Sequence, residues 1–328
     1  MKFISNISKI IPILFMSIAL ISCSDDDNVT PAPTTPNIVE LAQDTPELST
    51  LVAALLAADG DLATVLSSGS YTVLAPTNTA FNTFLADNGF ASLDDVPTDV
   101  LSQILLNHVI TGEVSSTDLT TAGAGYSSTN ADGPGGNKLS IYFNTTSGVS
   151  FNGVSDVSTA DVEASNGIVH IVDAVIGLPT IVDFALADPN FSTLVAALTR
   201  SDLTTDYVGI LSTANGTAPA PFTVFAPINE AFGDLLTELS LISLDDIDEP
   251  TLNATLSYHA VAGANVRSSD LTQGMMITAL GGDITASLDS GPQLIDGNDR
   301  VSNIIVVDVQ AANGVIHAID KVVLPELE

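Results

Sequence analysis

The stretch TVLAPTNTAF occupies residues 72–81, and a close copy, TVFAPINEAF, occupies residues 223–232. The offset of about 150 residues is far longer than the 20–50 residues of a solenoid repeat, so it indicates duplication of a whole domain. A chain of 328 residues also fits two domains of ordinary size. Further matched segments follow in the same order: STLVAAL at 49–55 and 192–198, LLNHVITGEVSSTDL at 105–119 and LSYHAVAGANVRSSDL at 256–271, and ASNGIVHIVDAVI at 164–176 and AANGVIHAIDKVV at 311–323.

The residues around the first stretch predict a short strand followed by a helix. Residues 71–74 are rich in β-formers and end at Ala75-Pro76, after which Asn78 is predicted to cap a helix, as is Asn229 in the second copy. Apolar residues at helical spacing predict further helices over residues 47–57 and 98–109. The apolar positions of the three helices are Leu48, Leu51, Val52, Leu55 and Leu56; Ala80, Phe81, Phe84 and Leu85; and Val100, Leu101, Ile104, Leu105 and Val109.

The later part of each copy changes to alternating apolar and polar residues, as in LSIYF at 139–143 and ITASL at 284–288. This period of two, with Gly, Asn and Asp between the runs, is typical of a meander of strands. Helices followed by strands predict an α+β architecture with an antiparallel sheet rather than a βαβ winding. The boundary between the copies falls near Leu178-Pro179, and the sequence leaves open whether residues 177–180 act as a hinge.

The two long motifs resemble the fasciclin domain. Its first motif is close to T-V-F-A-P-T-N-x-A-F, from which Leu74 and Ile228 depart, and its second is N-G-x-(I/V)-H-x-(I/V)-D-x-V. The resemblance covers residues 37–328 and implies two fasciclin-like domains, 37–178 and 179–328, each a β-sandwich wedge flanked by short helices. The motif residues are Thr72, Pro76, Asn78, Phe81, Asn166, Gly167, His170 and Asp173 in the first copy, and Thr223, Pro227, Asn229, Phe232, Asn313, Gly314, His317 and Asp320 in the second.

Members of this family often carry a Tyr-His pair between the two motifs. The second copy has it as Tyr258-His259, whereas the first has Asn107-His108. The resemblance implies that this region takes part in integrin binding in some animal members. The tyrosine is missing from the first copy.

The N-terminus predicts a lipoprotein signal peptide over residues 1–22. Lys2 and Lys9 precede an apolar core at residues 10–21, which is short for a membrane span. The following Cys23 lies at the end of a sequence that resembles the bacterial lipobox, so it is predicted to become the lipidated first residue of the mature chain. Acyl chains at about 0.8 kcal/mol per buried methylene would then anchor it stably. A plain signal peptide is the alternative, although no other cysteine exists to pair with this one.

The residues after Cys23 predict export to the outside of the cell. Ser24-Asp25-Asp26-Asp27 resembles the acidic tag that directs some Gram-negative lipoproteins to the outer face of the outer membrane. The Pro- and Thr-rich residues up to 36 predict an extended tether. We therefore expect an outer-membrane, surface-exposed protein that contacts the membrane through its lipid anchor only.

The composition excludes several classes of partner. Asp and Glu number 39 against 7 Lys and Arg, which gives a formal net charge of −32. Such a surface repels phosphate backbones and anionic lipid, so nucleic-acid binding is not expected. Partners with basic patches stay open, and high solubility alone would also explain the charge.

The sequence does not predict an enzyme. All four histidines (His108, His170, His259 and His317) recur at matched positions, although a catalytic base is needed once per site with a nucleophile or metal beside it. A structural role, with buried hydrogen bonds, is therefore favoured. No nucleophile elbow, P-loop or metalloprotease motif occurs in the sequence.

No cofactor is predicted, and calcium is the most credible ion for this sequence. Acidic turns at residues 59–61, 245–249 and 296–299 offer the oxygen ligands that calcium prefers. None has EF-hand spacing, and aspartates also serve simply to form turns.

These observations predict an adhesion or binding protein of the cell envelope. Its partners would be extracellular protein, matrix polysaccharide or further copies of itself. The alternative is a non-catalytic accessory or scaffold subunit of a polymer-uptake or degradation system. Two modules on one tether would raise the effective concentration of weak contacts.

Overall fold

A computed structural model describes residues 35–326, which belong to one compact unit. The predicted signal peptide, Cys23 and nearly all of the tether lie outside the described residues. Within them, no single helix is long and apolar enough to cross a membrane. Two bent helix pairs, 46–57 with 62–68 and 181–187 with 189–198, pass the same criterion only when each pair is taken together.

Helices come first and strands later in both copies, which confirms the α+β class. The first copy contains α1 (Ile38–Asp44), α2 (Ser49–Ala57), α3 (Leu62–Ser68), β1 (Tyr71–Pro76), α4 (Asn78–Asp87), α5 (Thr98–Asn107), β2 (Val109–Thr111), α6 (Ser116–Ala122), β3 (Ala124–Asp132), β4 (Lys138–Asn144), β5 (Ser150–Phe151), β6 (Ser155–Ala164) and β7 (Gly167–Val172). The second contains α7 (Ile181–Ala187), α8 (Ser192–Leu198), α9 (Tyr207–Leu211), β8 (Phe222–Pro227), α10 (Asn229–Glu238), α11 (Glu249–Tyr258), β9 (Ala260–Ala262), β10 (Met276–Ala279), β11 (Gly282–Ser287), β12 (Gln293–Ile295), β13 (Val301–Ala311) and β14 (Gly314–Ile319).

Each copy builds a seven-stranded sheet in which one pair of strands is parallel. In the first, β1 to β7 follow one another around a closed sheet, and β1 pairs with β7 from Tyr71 opposite Gly167 to Pro76 opposite Val172. In the second, β8 pairs with β14 in the same parallel manner. The prediction of a wholly antiparallel sheet is therefore wrong at this pair. The first motif contains most of β1 or β8, and the second motif contains β7 or β14. The two motifs of each copy therefore lie side by side in its sheet.

Two layers of apolar side chains hold each copy together. One layer lies between the helices and the outward face of β1 and β7, and the other lies on the opposite face of the same strands. Leu74 is fully buried in the second layer, while its neighbours Val73 and Ala75 belong to the first. This alternation along β1 follows from the period of two in a strand. The second copy repeats the arrangement.

The predictions for the two helices at 47–57 and 98–109 are wrong in detail. Leu56 is 72% exposed and Val100 is 38% exposed, although the helical spacing predicts both on the apolar faces of their helices. Val109 is buried but begins β2, because α5 ends at Asn107. The segment 46–48 is a 3-10 turn that precedes α2.

The two copies are joined by a buried interface. Tyr142 on β4 is 2% exposed because it packs among the core residues of the second copy. Its neighbour Tyr126 contacts Phe184 edge to face, with ring centroids 5.7 Å apart. The backbone N–H of Gln310 on β13 donates to Ser140 Oγ on β4 at 2.9 Å. The two domains therefore form one body rather than two modules joined only by a linker.

Candidate binding site

The threonine of the first motif links its strand, β1 or β8, by hydrogen bonds to the segment that follows β2 or β9. The hydroxyl of Thr72 donates to Gly112 O at 2.8 Å and accepts from the Val114 N–H at 2.8 Å. Thr223 makes the same pair with Ala264 O at 2.9 Å and Val266 N at 2.8 Å. Both threonines are buried. These hydroxyls satisfy backbone groups of the fold and are not available to a ligand.

His108 and His259 are buried at the ends of α5 and α11, with both ring nitrogens bonded to backbone. In each, Nδ1–H donates to a carbonyl one helical turn earlier, and Nε2 accepts an N–H from the segment after the last strand. Burial lowers the pKa of both rings to about 4. The rings are therefore neutral at physiological pH. The partners are Ile104 O at 2.8 Å and Ile176 N at 2.9 Å for His108, and Thr255 O at 2.7 Å and Val323 N at 3.2 Å for His259.

His170 and His317 lie on the last strand of each copy, and both ring nitrogens of each are also hydrogen-bonded to backbone groups. Nε2–H donates to Val114 O at 3.0 Å in the first copy and to Val266 O at 2.9 Å in the second. Nδ1 accepts from the backbone N–H of Asp161 at 3.2 Å and of Asp308 at 3.3 Å. Burial is the main cause that lowers the pKa of His317. Since both nitrogens of each ring are occupied, these histidines have no nitrogen left for a metal or a transferred proton.

The Asn-Gly pair of the second motif fixes how the first helix of each copy enters the domain. Asn166 accepts from the Ile38 N–H at 2.9 Å and donates to Leu66 O and Gly69 O at 2.7 and 2.8 Å. Asn313 bonds Ile181, Leu211 and Thr213 in the same way. Next to them, a Cβ on Gly167 would lie 1.9 Å from Tyr71 O, and one on Gly314 would lie 2.3 Å from Phe222 O.

The remaining motif residues also serve the framework. The carboxylate of Asp173 accepts from the Asp156 N–H at 2.7 Å, and Asp320 accepts from the Asn303 N–H at 2.7 Å. Phe81 and Phe232 are buried in the helix layer. Pro76 and Pro227 end the central strands.

The prediction that Asn78 and Asn229 cap their own helices is wrong. Thr77 caps α4 by accepting from the Ala80 N–H at 3.2 Å, and Ile228 precedes α10 without a side-chain cap. The Asn78 side chain instead accepts from the Thr50 N–H at 2.8 Å, in the first turn of α2, and donates to Pro46 O at 3.0 Å. Asn229 repeats these bonds with Thr193 and Pro189. Each asparagine therefore caps a helix that lies far away in sequence.

The Tyr-His position is buried in both copies. Tyr258 is 2% exposed and its hydroxyl donates to Asp283 O. Its counterpart Asn107 is fully buried and donates to Gly177 O at 2.8 Å, in the segment between the domains. Neither side chain is exposed for contact with a partner.

The acidic turns do not assemble into a cation site. Among residues 35–326 no group of three or more His, Cys, Asp or Glu side chains is placed to hold a metal. Asp296, in the third turn, is bonded by the Leu324 N–H at 3.0 Å and by Arg300 at 3.2 Å.

A groove of about 480 Å³, the junction groove, lies where α4 faces the segment between the domains, residues 173–179. Its walls carry the carboxylates Asp87, Asp173 and Asp183 and the amide of Asn152, and no Lys or Arg is among its lining residues. Asn152 is 7% exposed and its Oδ1 accepts from the Tyr142 N–H at 2.8 Å, whereas its Nδ2 has no hydrogen-bond partner among residues 35–326. The groove is thus acidic and contains a buried donor that lacks an acceptor.

A second cavity, of about 190 Å³, lies beneath α7, α8 and α9. Thr199 is the only polar residue of its lining, and the matching space in the first copy is about 20 Å³. Binding sites for small molecules combine an apolar wall with a few placed polar groups. The junction groove meets this requirement better than the apolar cavity.

Sequence reasoning missed the groove because most of its residues, including Asp87, Asn152 and Asp183, lie outside the two motifs. The one available signal was the match between Phe-Asn-Gly at 151–153 and Ile-Asp-Gly at 295–297, which aligns Asn152 with Asp296. The motif residues selected from the sequence surround the central strands. Only Asp173 of that set lines the groove.

Comparison with known proteins agrees with the motifs. The fasciclin domain family matches residues 46–179 and 189–325. Protein sll1483 of Synechocystis is 37% identical over 150 residues, which is 45% of this chain and 74% of that protein. Transforming growth factor-beta-induced protein ig-h3 of Sus scrofa is 29% identical over 268 residues, which is 79% of this chain but 35% of that protein.

A solved structure shares the fold. It is a FAS1 domain pair from the insect cell adhesion molecule Fasciclin I, with a TM-score of 0.51 and 21% identity, and the match covers 86% of this chain and 97% of that one. The family match spans most of the chain, twice and in tandem. The chain therefore belongs to the fasciclin family and carries two fasciclin domains.

Proposed function

We propose that the chain is an adhesion protein of a bacterial cell surface, held by a lipid on Cys23, that binds an extracellular protein or polysaccharide and catalyses no reaction. The observation that carries the proposal is the buried interface through Tyr126 and Tyr142, which holds the two domains as one body. A fixed body presents one continuous surface to a partner, and so loses little conformational freedom on binding.

The chemistry of the side chains supports binding over catalysis. Each histidine has both ring nitrogens bonded to backbone groups, so none is placed as a general base. The described structure offers grooves with polar walls instead. The net charge of −32 favours partners with basic surfaces. The solved domain pair with the same fold comes from a protein described as a cell adhesion molecule.

The lipid anchor is tested in cells that express the full chain or the Cys23→Ser variant. We expect labelled palmitate to enter the native chain only, and external protease to digest it on intact cells. The variant should leave the membrane fraction. A variant that stays in the outer membrane as completely as the native chain would refute anchorage at Cys23.

The binding function is tested by deleting the gene and restoring it. We expect weaker attachment to matrix-coated surfaces and less biofilm, both recovered with the native gene. Growth that fails on one polymer while attachment is intact would instead support the accessory-subunit alternative. Turnover of a generic ester or glycoside by the purified chain would contradict the absence of catalysis.

A further inference from the structure

The duplication provides an internal comparison for the junction groove. In the second domain Arg300 occupies the position that corresponds to the part of the groove between Asp87 and Asn152. Its guanidinium lies 2.7 Å from Glu238 Oε2 and 3.2 Å from Asp296 Oδ2, and it donates to Val322 O at 3.2 Å. The side chain is 15% exposed. Two carboxylates and one carbonyl therefore form a cradle for this cation.

All three cradle positions have counterparts in the groove of the first domain. Asp87 ends α4 as Glu238 ends α10, Asn152 follows β5 as Asp296 follows β12, and Val175 stands two residues after Asp173 as Val322 stands two after Asp320. Asp87, Asn152 and Val175 all line the groove. The first domain keeps the carboxylate of Asp87 and the backbone at Val175, but Asn152 puts an amide donor where Asp296 offers a carboxylate.

The first domain has no counterpart of Arg300 because the loop before β6 is shorter than the loop before β13. In the second domain Asn298, Asp299 and Arg300 stand between Gly297 and the start of β13, whereas in the first domain only Val154 separates Gly153 from β6. The shorter loop contains no arginine. Three carboxylates therefore face the groove without a cation among its lining residues.

The buried amide adds a second requirement. Nδ2 of Asn152 is a donor without a partner in the part of the chain that the structure describes. Such a group costs free energy when buried unless an acceptor reaches it. A ligand that suits both features carries a cation and, close to it, an oxygen acceptor. An arginine side chain within a peptide offers both, since its own backbone carbonyl accepts hydrogen bonds.

We infer that the junction groove binds an arginine side chain of a partner protein, with its guanidinium against Asp87, as that of Arg300 lies against Glu238 in the second domain, and with a peptide carbonyl on Asn152 Nδ2. The occupant is not a second copy of this chain. Its three arginines are Arg200, Arg267 and Arg300, and each is paired with a carboxylate of its own domain. The inference rests on the proposed binding function and names the chemistry of the partner.

The test measures fluorescence polarisation with the full chain in nonionic detergent. The probe is a labelled pentapeptide, Gly-Gly-Arg-Gly-Gly, and its control has citrulline in place of arginine, which keeps the shape but removes the charge. We expect saturable binding of the arginine peptide and at least tenfold weaker binding of the citrulline peptide, because charge-assisted hydrogen bonds are the strong ones.

Variants separate the groove from the general negative charge. Asp87→Asn should weaken binding of the arginine peptide about tenfold, in the range expected for one hydrogen bond to a charged group. Asp94→Asn removes the same charge from an exposed carboxylate outside the groove and should change the affinity less than twofold. Urea unfolding of each variant checks that it is folded. Equal effects of the two substitutions, or equal binding of both peptides, would overturn the site.

A loop graft gives an independent test. Inserting Asn-Asp-Arg between Gly153 and Val154 copies the second-domain loop, so its arginine should fill the groove, abolish peptide binding and raise the urea midpoint. Peptide binding that survives the graft, or is absent in the native chain at millimolar peptide, would refute the arginine site. Attachment of cells that persists in either case would leave the adhesion proposal standing, so the two failures are distinguishable.

Discussion

The hydroxyl of Tyr126 is the most informative atom to remove, because it crosses the interface between the domains. It donates to Asp188 Oδ2 at 2.9 Å, and Asp188 is 4% exposed. Burial and the carboxylate of Asp188 raise the pKa of this tyrosine well above its usual value. The hydroxyl therefore keeps its proton at neutral pH and acts as a donor.

The substitution Tyr126→Phe keeps the ring and removes only this bond. The contact with Phe184, at 5.7 Å between centroids, and the contact with Tyr142, at 5.1 Å, both need only the ring. What is lost is one hydrogen bond to a buried carboxylate, and hydrogen bonds to charged groups contribute about 1.5–3 kcal/mol. We expect the free energy of unfolding to fall by about 2 kcal/mol.

Urea unfolding of residues 35–328, followed by circular dichroism, measures this change. Tyr71→Phe is the matched control, since the hydroxyl of Tyr71 bonds no described group, and it should cost less than about 0.5 kcal/mol. Combining Tyr126→Phe with Asp188→Asn gives a double-mutant cycle, for which we expect a coupling energy above about 1 kcal/mol. A coupling energy near zero would refute the bond as a link between the domains.

Three further predictions concern the framework. Because burial lowers the pKa of His108 and His259 to about 4, the unfolded chain binds protons first as the pH falls below about 6.5. The free energy of unfolding should therefore decrease from pH 6.5 towards 4, by up to about 1.4 kcal/mol per histidine and pH unit, and a flat profile in urea titrations would contradict burial of neutral rings. Asn78→Ala should lower the free energy of unfolding by about 1–2 kcal/mol through the lost cap on α2, whereas the exposed neighbour Asn82, replaced in the same way, should show little change by the same measurement. Gly167→Ala should prevent folding or lower the thermal midpoint sharply, as its Cβ would meet Tyr71 O at 1.9 Å, and an unchanged midpoint in calorimetry would disprove this packing.

The sequence was sufficient for the family, the duplication and most element types, because these depend on local patterns. Alternation in residues 139–143 predicted a strand, and β4 is there. Its burial, however, covers five successive residues instead of alternating, since its other face contacts the second domain. A pattern of period two shows which residues share a face. It does not show what covers the second face.

The errors have the same origin. Helix α2 reads STLVAALLA, which is apolar almost all round, so its sequence does not decide which residues face the core, and Leu56 lies outside. Asn78 has the residue type of a helix cap, but its partner Thr50 lies 28 residues earlier. Only the fold brings these two residues together.

The matched residues of the two domains and the unmatched ones have different roles. Residues shared by both copies, such as Thr72 with Thr223, bond the same backbone groups in each domain, so they account for what the copies have in common, which is the fold. A partner that binds only one domain must be recognised by what differs. One local difference is the loop that ends at Arg300 in the second domain, since the shorter loop beside the junction groove has no arginine. If one copy keeps its cation within the chain and the other takes it from a partner, specificity in this protein arises from a loop of three residues rather than from either family motif.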